Sequence, residues 1–233
     1  MEFLDKLKSP RVFMQIGTNT GNDNFRLLVN KYRPQITILV EPLSELIPVI
    51  QKNYEFANAF SKVYIFNNAI YTEDEKDVSL FIPAKDGVYG QPGVQPERKQ
   101  GNHTYCHKHF SLLPMNDWGE KKNMIEVKAS SITFDTLCKQ LDITNIDYLQ
   151  IDTEGFDSEI IKSINFDNYK ISILRYEKWN FDEDCFSKYH NKNKDKYGIN
   201  GMKSVVDKLK NYNLHDIKDK DGNDIIAISN EYN

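Results

Sequence analysis

Between Val12 and Phe66, short apolar runs alternate with stretches of helical spacing, and that alternation constrains the fold more than any other feature of the chain. Val12 to Ile16, Ile36 to Val40 and Val63 to Phe66 read as buried strands. The first ends in Gly17-Thr18-Asn19-Thr20-Gly21, the second in Glu41-Pro42. Between them, Phe25, Leu27, Leu28 and Tyr32 share the apolar side of one helix. Leu46, Ile47 and Ile50 share a face of another, read over 43–54. Pro34 stops the first helix, because its ring and missing N–H break the hydrogen-bond ladder. Strand, helix, strand, helix, strand implies a parallel sheet with right-handed crossovers. Ligands on such sheets bind beyond the carboxyl ends of the strands, where strand order reverses.

The pattern continues further on. Asp77 to Pro83 alternates apolar and polar residues and reads as a half-exposed strand paired with Ala69 to Thr72. Ile125 to Ile132, Asp147 to Ile151 and Ile171 to Tyr176 read as strands; 134–141, 156–164 and 202–212 read as helices. Asp221-Gly222 between two apolar runs is a hairpin signal. Two segments lack periodicity, 84–123 and 180–200. The first carries glycines, prolines and histidines and reads as a long insertion loop, a functional lid or binding loop. No repeat or linker divides the 233 residues, so the expected organisation is one α/β domain over 1–233.

Hydrophobic residues make up 39%, enough for a core. The net charge of −4 supplies none of the clustered basic surface that phosphate binding favours, so no nucleic-acid partner is expected. No stretch reaches the roughly 20 apolar residues of a membrane span, and no leader pattern precedes Gly17. Cys106, Cys138 and Cys185 are odd in number and widely spaced, which favours a reducing, cytoplasmic setting. Nothing in the sequence fixes an oligomeric state.

A glycine after a buried strand lets backbone approach a ligand, and the next helix offers free N–H groups. A plain tight turn has the same sequence. Glu41 lies about twenty residues beyond, at the next strand end, where a carboxylate can accept both hydroxyls of a ribose. Together they favour an adenosine-type ligand. A dinucleotide requires a tighter glycine-rich turn against its pyrophosphate. Position 19 is Asn, which a methionine-type ligand tolerates, so the pattern favours S-adenosylmethionine over a nicotinamide cofactor.

Gly17-Thr18-Asn19-Thr20-Gly21, Val40-Glu41-Pro42, Asn68-Ala69, Ile132-Thr133-Phe134-Asp135 and, most specifically, Tyr148-Leu149-Gln150-Ile151-Asp152-Thr153-Glu154-Gly155 with Asp157 following resemble the FkbM family of class I methyltransferases. The resemblance runs from about Val12 to Glu177. It implies a Rossmann-like, mostly parallel seven-stranded sheet with an antiparallel C-terminal hairpin and helices on both faces. It implies S-adenosylmethionine as methyl donor and O-methylation of a sugar or small-molecule hydroxyl. By position, Gly17 would line the methionine moiety, with Gln15, Asn19, Gly21 and Asp152 around it. Glu41 would take the ribose, and Asn68 with Ala69 would border the adenine. Two positions depart from the family pattern: Gln15 replaces an Asp that often helps hold the methionine amino group, and Gln150 replaces a Lys.

Asp152, Glu154 and Asp157 cluster at a strand's carboxyl end, where methyl transfer is expected. Crowded acids shift one another's pKa, so Asp152 or Glu154 can serve as a base toward a hydroxyl. The same acids could hold a divalent ion, or only cap a helix, the simpler reading for Asp157. In the long loop, His107 is a candidate base and His109 a candidate acceptor contact; as surface histidines they would do neither. Their spacing with His103 allows a metal, yet no distant partner pair completes a set, so no metal site is expected. Glu177 and His190 are candidate acceptor contacts. Two other classes remain open on the same fold: a nicotinamide-dependent oxidoreductase, and a non-catalytic binding descendant.

Overall fold

The computed structural model describes residues 4–7, 9–83, 98–100, 103–105, 124–178, 199–218 and 223–232. The five residues of β1 (Val12–Ile16) are all buried, as a central parallel strand requires. Around it lie β2 (Ile36–Val40), β3 (Lys62–Phe66), β9 (Asn145–Ile151), β10 (Lys170–Glu177), β11 (Tyr212–Lys218) and β12 (Asn223–Ser229). Their order across the sheet is β11-β12-β10-β9-β1-β2-β3. Neighbours from β10 to β3 run parallel, and β12 runs antiparallel to both β10 and β11. This is the expected Rossmann-like sheet with its antiparallel C-terminal hairpin. Strand order reverses at β1, which places a crevice above β1 and β9.

Alternate residues of each strand face opposite layers. Met14, Ile38, Leu149 and Leu174 pack with Phe134, Ile160 and Leu209, from α3 (Phe134–Gln140), α4 (Asp157–Ser163) and the residues just past α5 (Ile199–Lys208). Phe13, Leu39, Tyr148 and Ile173 pack with Phe25 and Leu28 of α1 (Asn24–Tyr32) and Ile50 of α2 (Ile47–Asn53). The Phe25 ring lies 5.9 Å from Tyr148 and 6.3 Å from Phe13, centroid to centroid. Phe25→Ala should therefore cost about 3–5 kcal/mol of stability, read by urea denaturation; a loss below about 1 kcal/mol would contradict this packing.

Helix α1 starts where the Asp23 side chain accepts from the Arg26 N–H (3.2 Å) and ends at Arg33 in the left-handed region, just before Pro34. Leu27, expected on its apolar side, is 61% exposed. At about 100° per residue, position 27 points away from the Phe25–Leu28–Val29 stripe. The helix expected over 43–54 divides into a 3₁₀ turn (Ser44–Leu46) and α2. Pro48 lacks an N–H and fits only the first turn of a helix, so α2 starts beside it.

The strand at 77–83 has a different partner from the expected one. β5 (Asp77–Pro83) pairs antiparallel with β8 (Met124–Ile132), while β4 (Ala69–Ile70) pairs parallel with β8 on the other side. Polar groups around the end of β8 fix this connection. Ser131 Oγ donates to the Glu73 carbonyl (2.6 Å) and accepts from the Lys76 N–H (3.0 Å); Asp74 accepts from the Thr133 N–H (2.6 Å). The 73–76 turn is therefore anchored to β8, and β5 lies along it. Within the expected insertion, β6 (Arg98–Gln100) and β7 (His103–Tyr105) form a two-stranded antiparallel ribbon. The last helix ends at Lys208, short of the expected 212, because Tyr212 already opens β11 and its hydroxyl donates to the Ile171 carbonyl (2.8 Å). Asp221 and Gly222 lie outside the described residues. Among the described residues no helix is long and apolar enough to cross a membrane.

Candidate functional site

The crevice is built on the turn after β1. Gly17 and Thr18 donate backbone hydrogen bonds to the Val40 carbonyl (3.0 and 3.1 Å), and the Asp152 N–H donates to the Ile16 carbonyl (3.0 Å). The ends of β1, β2 and β9 are thus tied together. Gly17 has φ +82°, and a Cβ there would lie 1.8 Å from the Asp152 carbonyl oxygen. The close approach read from the sequence is real, but the backbone it meets is that of β9. Gly21, at φ +67°, is likewise required by the Tyr54 ring, 2.7 Å from where a Cβ would lie.

Asn19 sits in the left-handed region (φ +53°) and donates its N–H to Glu41 Oε2 (2.7 Å). Glu41 Oε1 accepts from the Leu43 N–H (2.8 Å). The Glu41 carboxyl is fully buried. Burial pushes it up to about 8 against the pull of its two N–H donors. Each oxygen keeps a second lone pair for a hydroxyl, but the carboxyl is fully buried, so ribose would reach it only if the turn covering it shifts. Asn67, which sequence reasoning passed over, donates to the Glu41 and Pro42 carbonyls (3.0 Å each). Asn68 is half-buried beside it; Ala69 is buried in β4.

Gln15 is fully buried, and its Nε2 donates to Asp23 Oδ2 at 2.5 Å. Sequence reasoning missed Asp23, although an Asp just before a helix is a capping signal. Desolvation raises the Asp23 carboxyl, and the Gln15 and Arg26 hydrogen bonds oppose that shift.

At the end of β9 the acids converge as expected. Asp152 is open to solvent on one side yet densely surrounded by protein. Desolvation, then the charges of Glu154 and Asp157, holds its carboxyl well above the usual range. The open side tempers the desolvation, and the neighbouring carboxylates supply the rest. Desolvation and the charges of Glu154 and Asp152 likewise raise Glu177, at the end of β10. Glu154 takes a left-handed backbone (φ +54°), so the turn after Asp152 is tightly specified. Asp157 does more than open α4. Its Oδ2 accepts from the Thr153 hydroxyl (2.7 Å) and N–H (3.2 Å), and its Oδ1 lies 3.4 Å from the Glu177 N–H. It therefore braces the two acid-bearing strand ends together, and burial raises its own carboxyl. Sequence reasoning also missed the pair of Arg175 and Asp224, one strand further along.

His107, His109 and His190 lie outside the described residues. Among the described residues no cluster of His, Cys, Asp and Glu is arranged to hold a metal ion. Cys138 is a free, buried thiol.

A glycine turn, a carboxyl at the next strand end and an acidic cluster across the crevice therefore occupy one sheet edge. The family model for the methyltransferase FkbM domain matches residues 15–214. The chain belongs to the FkbM methyltransferase family. No curated protein matches the sequence. Among solved structures it is similar to M. capricolum TrmK in complex with S-adenosylhomocysteine, at 13% identity and TM-score 0.45, over 98% of this chain and 66% of that one. The chain thus spans just under two thirds of that protein's length. It is also similar to a precorrin-6y C5,15-methyltransferase from Geobacter metallireducens (10%, TM-score 0.43, 98% and 86% coverage). A third is the S-adenosylhomocysteine-bound Podospora anserina methyltransferase PaMTH1 (10%, TM-score 0.40, 97% and 80% coverage). Likenesses of this degree say nothing about an acceptor; the fold rests on the strand order and the family match.

The donor set of this FkbM-family site fits its cofactor. S-adenosylmethionine carries a sulfonium and an ammonium, and the crevice offers carboxyls at the ends of β1's turn, β9 and β10. Buried polar atoms of the turn, Gln15 Oε1 and Thr18 Oγ1, have no partner among the described residues, as expected of a surface completed by a polar ligand.

Proposed function

We propose that the chain transfers the methyl group of S-adenosylmethionine to a hydroxyl of a small molecule or glycan, as a single cytoplasmic domain whose 84–123 insertion contacts the acceptor. The observation that carries this reading is the contact between Asp152 and Gly17. It joins the acid of the acceptor side to the cofactor turn, so base and methyl donor share one crevice.

S-adenosylmethionine, once bound, would supply the methyl group from its sulfonium and leave as a neutral thioether, while the proton of the acceptor hydroxyl would pass to Asp152. The sulfonium is already activated, so most of the acceleration comes from holding donor and acceptor in line. Gln15, Gly17, Asn19 and Gly21 hold the methionine end, Glu41 the ribose, and Asn68 with Ala69 the adenine. Glu154 supports the Asp152 charge state, with His107 as an alternative base. Glu177, His109 and His190 contact the acceptor.

Saturating S-adenosylmethionine should raise the melting temperature. At about 100 times Kd the linkage supplies about 2.7 kcal/mol, or roughly 5–10 °C for a chain of this size. A shift with NADH and none with S-adenosylmethionine would overturn the cofactor reading. Methyl-labelled cofactor should then mark hydroxyl-bearing sugars or phenols; label appearing in RNA or protein instead would sink the acceptor proposed here.

A further inference from the structure

The turn that follows β1 encloses more polar chemistry than it satisfies. Gln15 Oε1, Thr18 Oγ1 and the Tyr54 hydroxyl are buried and have no hydrogen-bond partner among the described residues. All belong to one neighbourhood: the position a Gly21 Cβ would take is 2.7 Å from the Tyr54 ring and 3.5 Å from the Thr18 methyl. Beside them is Asp23, half-buried and held by two neutral donors, Gln15 Nε2 (2.5 Å) and the Arg26 N–H (3.2 Å). Among the described residues no Lys, Arg or His forms an ion pair with Asp23. The Arg175 charge on the sheet pulls the Asp23 carboxyl down only as the smallest of its influences, and Arg175 is itself paired with Asp224.

A partly desolvated carboxylate with only neutral donors is best completed by a cation. We propose that Asp23 receives the α-ammonium of the cofactor's methionine end, and that Gln15 is the positioning residue that aims it. The inference rests on the cofactor reading above and deepens it. The amino-acid end carries its carboxylate and ammonium on one carbon. A helix N-terminus favours the carboxylate, which brings the ammonium within reach of the side chain that caps that helix. Asp23 caps α1.

The pair also accounts for an uncharged residue at the end of β1. A carboxylate at position 15 would lie about where Gln15 Nε2 now meets Asp23, and two carboxylates that close cannot both ionise. With Gln at 15, the negative charge resides on the helix cap alone, oriented by an amide from the strand.

The test compares two ligands by calorimetry. S-adenosylhomocysteine carries the amino-acid end; 5′-methylthioadenosine keeps the adenosine and thioether and lacks it. Asp23→Asn keeps one oxygen to cap the Arg26 N–H, and its Nδ2 can donate to Gln15 Oε1 once the Gln15 amide turns over, so the fold is preserved. The variant should bind S-adenosylhomocysteine about 10- to 100-fold more weakly than the wild type, and methylthioadenosine within about twofold. An equal loss for both ligands, or no loss for S-adenosylhomocysteine, overturns the inference while leaving the cofactor reading intact. A wild type that binds neither ligand overturns both.

Discussion

Asp152→Asn should lower kcat/KM for methyl transfer by about 10²- to 10⁴-fold, the range over which a positioned base contributes, while binding of S-adenosylhomocysteine changes little. The two effects separate because Asp152 contacts the cofactor turn through its backbone, which the substitution keeps, and reaches the acceptor through its carboxylate. The pH profile supplies a second reading. Desolvation and the charges of Glu154 and Asp157 raise the Asp152 carboxyl. Activity that needs the deprotonated base should therefore rise with pH through a step above the ordinary carboxylate range, and that step should disappear in the variant. The stability sign is opposite to that of a salt-bridged acid. A carboxyl whose folded pKa lies above its unfolded value binds its proton more tightly when folded. Its contribution is greatest below the unfolded pKa and declines as pH rises toward the folded pKa. Near neutral pH, Asn at 152 removes that strain, so the melting temperature should stay level or rise as activity falls. A variant that loses activity and stability together would mark Asp152 as structural; one that keeps full activity would move the base elsewhere, with His107 the next candidate.

The fold was legible because a parallel strand buried on both faces is mostly apolar: β1 and β2 each carry a single polar residue, Gln15 and Thr37, and β9 keeps Ile146, Tyr148, Leu149 and Ile151. The antiparallel hairpin was legible from its turn pair. Pairing in the small sheet was not, because Asp77–Pro83 alternates like any half-exposed strand. Its partner is decided by Ser131 and Asp74 hydrogen bonds that span more than fifty residues. In the site, acid positions at strand ends follow from topology alone, so Glu41, Asp152 and Glu177 could be named in advance. Their neighbours could not. Asp157 looks like an ordinary helix-start acid until its contacts with Thr153 and Glu177 are known. Asp23 matters because of a neutral residue eight positions earlier, and no spacing rule links a strand amide to a helix cap. The glycines were singled out for the approach of a ligand, whereas what the structure shows is that the Gly17 and Gly21 backbones are fixed by Asp152 and Tyr54.

That distinction gives Gly17→Ala a large expected effect on both the folded state and the site. Two costs add. The left-handed backbone at φ +82° opposes any Cβ by roughly 1–2 kcal/mol. The Cβ would also lie 1.8 Å from the Asp152 carbonyl oxygen, and relieving that overlap costs about 1–3 kcal/mol. The obstacle is backbone, which cannot rotate aside as a flexible side chain would. Either the Gly17 turn lifts off β9 or the end of β9 moves. Both movements break the tie between the Asp152 N–H and the Ile16 carbonyl, and both shift the base relative to the methyl donor. Equilibrium unfolding should therefore show a loss of about 2–5 kcal/mol. Protein that still folds should have lost most of its transfer activity, because sub-ångström misplacement of donor and acceptor is costly. Gly21→Ala meets an aromatic edge at 2.7 Å rather than backbone, and a ring can tilt. Its stability loss should be smaller than that of Gly17→Ala under the same denaturant series. If the two losses were equal, or if Gly17→Ala were neutral, the turn would not be held against Asp152 as described, and the joined crevice that supports methyl transfer would lose its basis.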